Sequence, residues 1–211
     1  MIKRMYVIRV AVVVAVTLGV IFWPKPHVRN LDSRGTAIIA FGDSLTQGYG
    51  ASAGEAYPAL LTSKLGVEVI NAGVSGDTTE TALARIDNDV VARNPRIVVV
   101  GLGGNDFLRR APIATTEANL RAIVKTIQGA GAMVVLLGFE FPSIGPSYAK
   151  MYERVADEEE CLLIDDLMDG ILTDPKLRSD EIHPNAAGYA IMAERIEGPL
   201  ETLIGRANGA R

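Results

Sequence analysis

Ala37-Ile38-Ile39-Ala40-Phe41-Gly42-Asp43-Ser44-Leu45-Thr46-Gln47-Gly48 decides how the rest of the chain is read. Its first five residues are a short continuous apolar run, the pattern of a strand buried on both faces. Ala53 to Leu65 follows and reads as a helix. A serine between the two sits on a strand-to-helix turn. There its hydroxyl is lifted off the sheet edge and lies near the positive end of a helix dipole. Both features suit a nucleophile, yet Gly-Asp-Ser alone is also an ordinary loop tripeptide. A distant segment, Asp180-Glu181-Ile182-His183-Pro184, favours the functional reading because it brings an acid and an imidazole three positions apart.

Working outward, further apolar runs occur at Val67–Ile70, Ile97–Gly101, Met133–Gly138 and Leu162–Ile164. Helical patterns lie between them. Asp77-Thr78-Thr79-Glu80 has the composition of a helix start, with Leu83, Ile86 and Val90 following. Leu120, Ile123, Val124 and Ile127 repeat at i, i+3, i+4 and i+7. Pro146 to Glu160 reads as a less regular helix with a solvated acidic end, and Pro184-Asn185 opens a last helix through Ile196, with Pro199 breaking or restarting it. Five buried strands with helical crossovers predict an α/β fold, a three-layer α/β/α sandwich around a five-stranded parallel sheet.

The chain has 211 residues, of which 48% are apolar and 22% charged, enough for one globular domain with a sizeable core. A net charge of -4 with no long basic run beyond the N-terminus argues against a nucleic-acid partner. Cys161 is the single cysteine, so no intramolecular disulfide forms; it opens an apolar run and reads as a buried thiol. With two histidines, His27 and His183, and no HxH, HExxH or CxxC spacing, no protein-held metal is expected.

Residues 1–23 form a separate object. Lys3, Arg4 and Arg9 precede the uncharged run Val10 to Trp23, which reads as a signal anchor or signal peptide. No small-x-small cleavage site follows, and Trp23 suits a membrane interface, so the anchor is preferred. Positive residues stay inside, which places the remainder on the extracytoplasmic or periplasmic side, tethered to the cytoplasmic membrane or secreted. Residues 24–34 read as a Pro-rich tether that includes a solvated His27, and residues 35–207 as the folded domain.

In a parallel sheet, sites form at the carboxyl ends of the strands. Four loops fall there: the one holding Ser44, then Asn71 to Asp77, then Leu102-Gly103-Gly104-Asn105-Asp106, then the one holding Asp180 and His183. Gly42-Asp43-Ser44-Leu45, Asn71 through Gly76, Gly103-Gly104-Asn105-Asp106 and Asp180-x-x-His183-Pro184 occur in this order, and together they resemble the GDSL, or SGNH, family of serine hydrolases. The resemblance spans roughly residues 35 to 200. Ser75 to Thr78 and Asp180 to Asn185 are most similar to the single-domain bacterial thioesterase, lysophospholipase and arylesterase group. It implies the flavodoxin-like hydrolase fold, with Ser44 as nucleophile, His183 as base and then acid, and Asp180 as the carboxylate that orients the ring. It also implies an oxyanion hole made by the N–H groups of Ser44 and Gly76 and the side-chain amide of Asn105. Gly73 is the rival for Gly76, and the spacing from Asn71 favours Gly76. Asp43 reads as a turn-stabilising carboxylate, Asp106 as a cap or loop-orienting group, and Gly103-Gly104 as a sharp turn.

Phe107, Leu108, Phe141, Pro142 and Ile144 would give the site an apolar wall fitting an acyl chain or aryl group; Phe139 reads equally well as core. The expected substrate is therefore a carboxyl ester, thioester or lysophospholipid with an apolar acyl part, and no cofactor is expected. A carbohydrate O-acetyl esterase stays open as an alternative, as does a non-catalytic flavodoxin-like binding module. The module would want a basic residue beside the first turn, which offers none. Nothing in the pattern speaks to oligomeric state.

Overall fold

The computed structural model describes residues 27–139 and 146–210. The N-terminal segment 1–23, expected as a signal anchor or signal peptide, and the expected wall residues Phe141, Pro142 and Ile144 lie outside the described residues. No helix among the described residues is long and apolar enough to cross a membrane.

Five strands, β1 (Ala37–Gly42), β2 (Val69–Gly73), β3 (Pro95–Gly101), β4 (Met133–Leu137) and β5 (Leu162–Ile164), form one sheet. Its order is β2-β1-β3-β4-β5, with every pairing parallel. All five residues of β4 are buried, as are the last five of β1 and of β3. That double-sided burial is why these segments read as unbroken apolar runs; each Val, Ile or Leu placed there contributes about 1.5–3 kcal/mol over an exposed position.

The crossovers supply two helical layers. Helices α2 (Tyr57–Leu65) and α7 (Ala186–Gly209) pack together on one face; α3 (Thr79–Asp89), α5 (Ile113–Gly129) and α6 (Pro146–Glu158) cover the other. Two short helices, α1 (Ser44–Gln47) and α4 (Gly104–Leu108), stand on the carboxyl edge directly after β1 and β3. The order reverses between β1 and β3, so these two helices flank the switch point where α/β sheets bind ligands.

Several boundaries differ from the sequence expectation. Helix α2 starts at Tyr57 rather than Ala53, because Gly54 takes a positive φ and Pro58 fits the first helical turn. β2 runs Val69–Gly73 rather than Val67–Ile70. Pairing with β1 down to Gly42 opposite Gly73 fixes its end, and Val67 is exposed. Helix α7 continues through Pro199 to Gly209. Met192, Ile196, Leu200 and Leu203 stay buried in one register across the proline, and this burial outweighs the roughly 3 kcal/mol that an interior proline costs.

The expected tether also needs correction. Val28 is buried, the Arg29 N–H donates to the Glu160 carbonyl at 3.0 Å, and Asn30 Nδ2 donates to the carbonyls of Gln128 and Ala132 at 2.9 Å. Packing on the body therefore begins by Val28. These contacts lie at the amino ends of β4 and β5, opposite the edge that carries α1 and α4.

Candidate active site

Ser44 is the first residue of α1. Asp43 caps the helix by accepting the Leu45 N–H on Oδ1 at 3.0 Å, and Gly48 closes it with φ near 94°, donating its N–H to the Ser44 carbonyl at 2.9 Å. Gly42, just before, has no room for a side chain: a Cβ there would meet Thr46 Oγ1 and the Gly101 carbonyl. The turn therefore needs glycine at that step.

The loop after β5 is held by its own polar groups. Asn185 caps α7, accepting from the N–H groups of Ala187 and Gly188, and its Nδ2 donates to the Lys176 carbonyl at 2.8 Å. Asp180 Oδ1 accepts the N–H groups of Ile182 and His183, each at 2.8 Å, which makes the tight turn expected from the three-residue spacing. His183 Nδ1 lies 2.8 Å from Asp180 Oδ2, and His183 Nε2 lies 3.0 Å from Ser44 Oγ. An ionised carboxylate can only accept, so Nδ1 carries the hydrogen and Nε2 accepts from the serine hydroxyl. The ring of Tyr49 packs against the imidazole with centroids 4.5 Å apart.

Partial desolvation pushes the Asp180 carboxyl up. The Ile182 N–H, the His183 ring and the His183 N–H together outweigh it, so the net shift is downward. Asp180 is therefore ionised at neutral pH.

Asn105 sits in the first turn of α4. Gly103 precedes it with φ near 118°, and a Cβ there would meet the Tyr152 hydroxyl, which donates to the Leu102 carbonyl at 2.8 Å. Asn105 Nδ2 donates to the Asp77 carbonyl at 3.0 Å and to Asp43 Oδ2 at 3.2 Å. Of the rival glycines, Gly73 has its N–H taken by Asn71 Oδ1 at 2.9 Å, whereas the Gly76 N–H has no partner among the described residues.

The segment around Gly76 is pinned from several sides. Gln47 Oε1 accepts the Ser75 N–H at 2.8 Å, and Arg109 Nη2 donates to the Gly76 carbonyl at 2.9 Å. Arg85 donates from Nε to Asp77 Oδ2 at 2.6 Å and from Nη2 to the carbonyls of Gly42 and Ala72 at 3.0 Å, with its guanidinium over the Phe41 ring. Asp106 accepts the N–H and hydroxyl of Thr79, tying α4 to the start of α3.

Ser44, Asn105 and His183 open on one cleft of about 240 Å³. Phe107 and Leu108 line it. Leu45, Leu172 and Ile182 complete its apolar wall, and Glu181 also lines the cleft. Leu172 carries no signal in the sequence; Ile182 lies inside the acid–histidine motif and could have been read from its spacing. Phe139 is buried in the core against Tyr152, not in the cleft. Among the described residues no group of three or more His, Cys, Asp or Glu side chains is placed to hold a metal ion. Cys161 is buried, and burial, aided by the Glu159 charge, pushes its thiol up to about 12. It therefore stays neutral and is no nucleophile.

Residues 40–191 match the family model described as the GDSL-like lipase/acylhydrolase family. The chain belongs to that family. It is 33% identical over 175 residues to the thioesterase 1/protease 1/lysophospholipase L1 of Escherichia coli K12, covering 79% of this chain and 84% of the relative. It is 32% identical over 178 residues to esterase TesA of Pseudomonas aeruginosa, covering 79% and 89%. The crystal structure of the esterase EstA from Pseudoalteromonas sp., inhibited by monoethylphosphonate, superposes with a TM-score of 0.73 at 29% identity, covering 80% of this chain and 98% of that one. As a GDSL-like hydrolase with this α/β/α fold, the protein is a serine esterase that cleaves ester bonds.

Proposed function

We propose that Ser44, His183 and Asp180 are the catalytic residues of this GDSL-like hydrolase, and that its substrates are carboxyl esters or thioesters with an apolar acyl or aryl part. The observation that carries this reading is the unbroken hydrogen-bonded series from Ser44 Oγ through the imidazole to Asp180, opening on an apolar cleft. As Ser44 Oγ attacks the acyl carbon, its proton passes to His183 Nε2, and Asp180 stabilises the imidazolium. Negative charge develops on the former carbonyl oxygen, where the Ser44 and Gly76 N–H groups and Asn105 Nδ2 would receive it. Collapse expels the alcohol or thiol, protonated by His183, and leaves an acyl-Ser44. A water molecule deprotonated by His183 then releases the acid.

Asn105 is expected to act on kcat. Asn105→Ala lowers kcat for an aryl ester by on the order of 10²-fold with little change in KM. A near-normal kcat would make Asn105 a purely structural link between Asp77 and Asp43.

The apolar wall of Leu45, Phe107, Leu108, Leu172 and Ile182 favours a longer acyl chain over acetate. Each methylene buried is worth about 0.8 kcal/mol, so kcat/KM rises by roughly fourfold per added carbon until the cleft is filled. Paired assays of p-nitrophenyl acetate, longer p-nitrophenyl esters and acetylated xylo-oligosaccharides test this. A preference for the acetylated sugar would favour the carbohydrate esterase reading instead.

The basic-then-apolar segment 1–23 supports placement outside the cytoplasmic membrane, anchored by that segment. In that compartment lysophospholipids and other lipid esters are the substrates at hand, rather than acyl-CoA.

A further inference from the structure

Asp43 is buried with no cation against it among the described residues. The residue is 2% exposed, and its hydrogen bonds come from neutral donors, the Leu45 N–H on Oδ1 and Asn105 Nδ2 on Oδ2. Of the two other buried carboxylates nearby, Asp77 is paired with a cation, whereas Asp106, like Asp43, meets neutral donors. Asp77 receives Arg85 and the Thr81 hydroxyl; Asp106 receives the N–H and hydroxyl of Thr79. Arg85 is shared among Asp77, Asp89 and the carbonyls of Gly42 and Ala72, and does not bond Asp43. The remaining titratable groups facing Asp43 are Tyr57 on α2, Tyr152 on α6 and Tyr189 on α7. Burial raises all three phenols, so they stay neutral. Capping α1 needs one neutral acceptor oxygen, which Asn or Ser supplies as well as Asp. What a carboxylate adds is the second, charged oxygen, and that oxygen meets Asn105.

We propose that Asp43 is a positioning residue whose carboxylate, with the Asp77 carbonyl, fixes the plane of the Asn105 amide so that its N–H meets the oxyanion. The proposal rests on the reading of Asn105 as an oxyanion donor. At 3.2 Å the bond to Asp43 is the longer of the two that Nδ2 makes, so the same N–H is free to share itself with a substrate oxygen. Both residues line the cleft. Without the Oδ2 acceptor, the amide turns about its last side-chain torsion and the donor leaves the oxyanion position.

Burial, opposed by the Leu45 N–H and reinforced by the Asp77 charge, raises the Asp43 carboxyl to about 7. A folded pKa above the unfolded value of 3.8 means the fold prefers the protonated form. Stability therefore falls as pH rises from about 4 to about 7, and the cost is complete above that window. Protonation also removes the Oδ2 acceptor, so the activity and the stability linked to this group move in opposite directions with pH.

The test is Asp43→Asn in the full chain, with Asp43→Ser, which keeps a capping oxygen, as a second variant. For Asp43→Asn, kcat for an aryl ester falls roughly tenfold at pH 8 with KM nearly unchanged, the effect of losing one charge-assisted hydrogen bond behind a catalytic donor. Its Tm at pH 8 rises by a few degrees, and the gain vanishes near pH 4. The acid limb of log kcat against pH, to which Asp43 contributes, becomes shallower in the variant. Asp43→Ser shows the same loss of kcat. A kcat within about twofold of wild type in both variants, or a lowered Tm at pH 8 with an unchanged acid limb, overturns the proposal and leaves Asp43 as a cap. Asn105→Ala measured alongside separates the two readings. If it costs nothing, the oxyanion assignment fails; if it costs its full share while Asp43→Asn costs nothing, only the role of Asp43 fails.

Discussion

Ser44→Ala is expected to lower kcat for an aryl ester by on the order of 10⁶-fold, the loss that follows removal of a hydrolase nucleophile. The substitution deletes one oxygen, the one that lies 3.0 Å from His183 Nε2. Among the described residues nothing replaces it: Cys161 is buried and un-ionised, and the Thr173 hydroxyl on the cleft wall donates to the Gly170 carbonyl. The variant stays folded, because the α1 cap belongs to Asp43 and the Gly48 N–H bonds the Ser44 backbone rather than its side chain. Its Tm should match wild type within a degree or two. A fluorophosphonate probe labels wild type at Ser44 and leaves the variant unlabelled. Full activity in a folded Ser44→Ala protein would remove the acyl-enzyme mechanism, and failure of wild type to label would favour a binding module.

Asp180→Asn is the second large effect, a fall in kcat of roughly 10³–10⁴-fold. This substitution isolates one interaction. The amide oxygen still accepts the N–H groups of Ile182 and His183, so the turn that presents the ring persists. The amide nitrogen, however, is a donor facing Nδ1. It favours the tautomer with hydrogen on Nε2, which then points a donor at the Ser44 hydroxyl and cannot take its proton. The Asp180 side chain is 43% exposed, so water can stand in for part of its effect, and the lower end of the range is expected. Steady-state kinetics with melting curves decide it. A loss under tenfold in a folded variant would mean that the carboxylate only shapes the turn.

Much of this molecule is legible in one dimension because its strands are buried on both faces. Val98 to Val100 and Val134 to Leu136 are fully buried, and such positions tolerate few polar residues, so the apolar runs mark β3 and β4 directly. The motif loops are legible for a related reason. Gly42, Gly73 and Gly101 pair at one level across three strands, so the loops that follow leave the sheet side by side. A reading that places each loop at a strand end thus collects the right residues. The end of β2, however, depends on its register with β1, and the survival of α7 past Pro199 depends on a buried face that continues on its far side.

The amino-acid sequence by itself determined the class of sheet, the order of the four motif loops, and the acid-to-histidine turn of residues 180 to 183. These depend on residues within a few positions of one another, where propensity and hydrogen-bonding reach suffice. Only the tertiary structure decided that a hydroxyl and an imidazole 139 positions apart stand 3.0 Å from each other, that Leu172 joins the cleft wall, and that Asp43 is buried with neutral hydrogen-bond donors. Distance and desolvation are set by how remote segments pack, and they turn a loop aspartate into a group that titrates near neutrality.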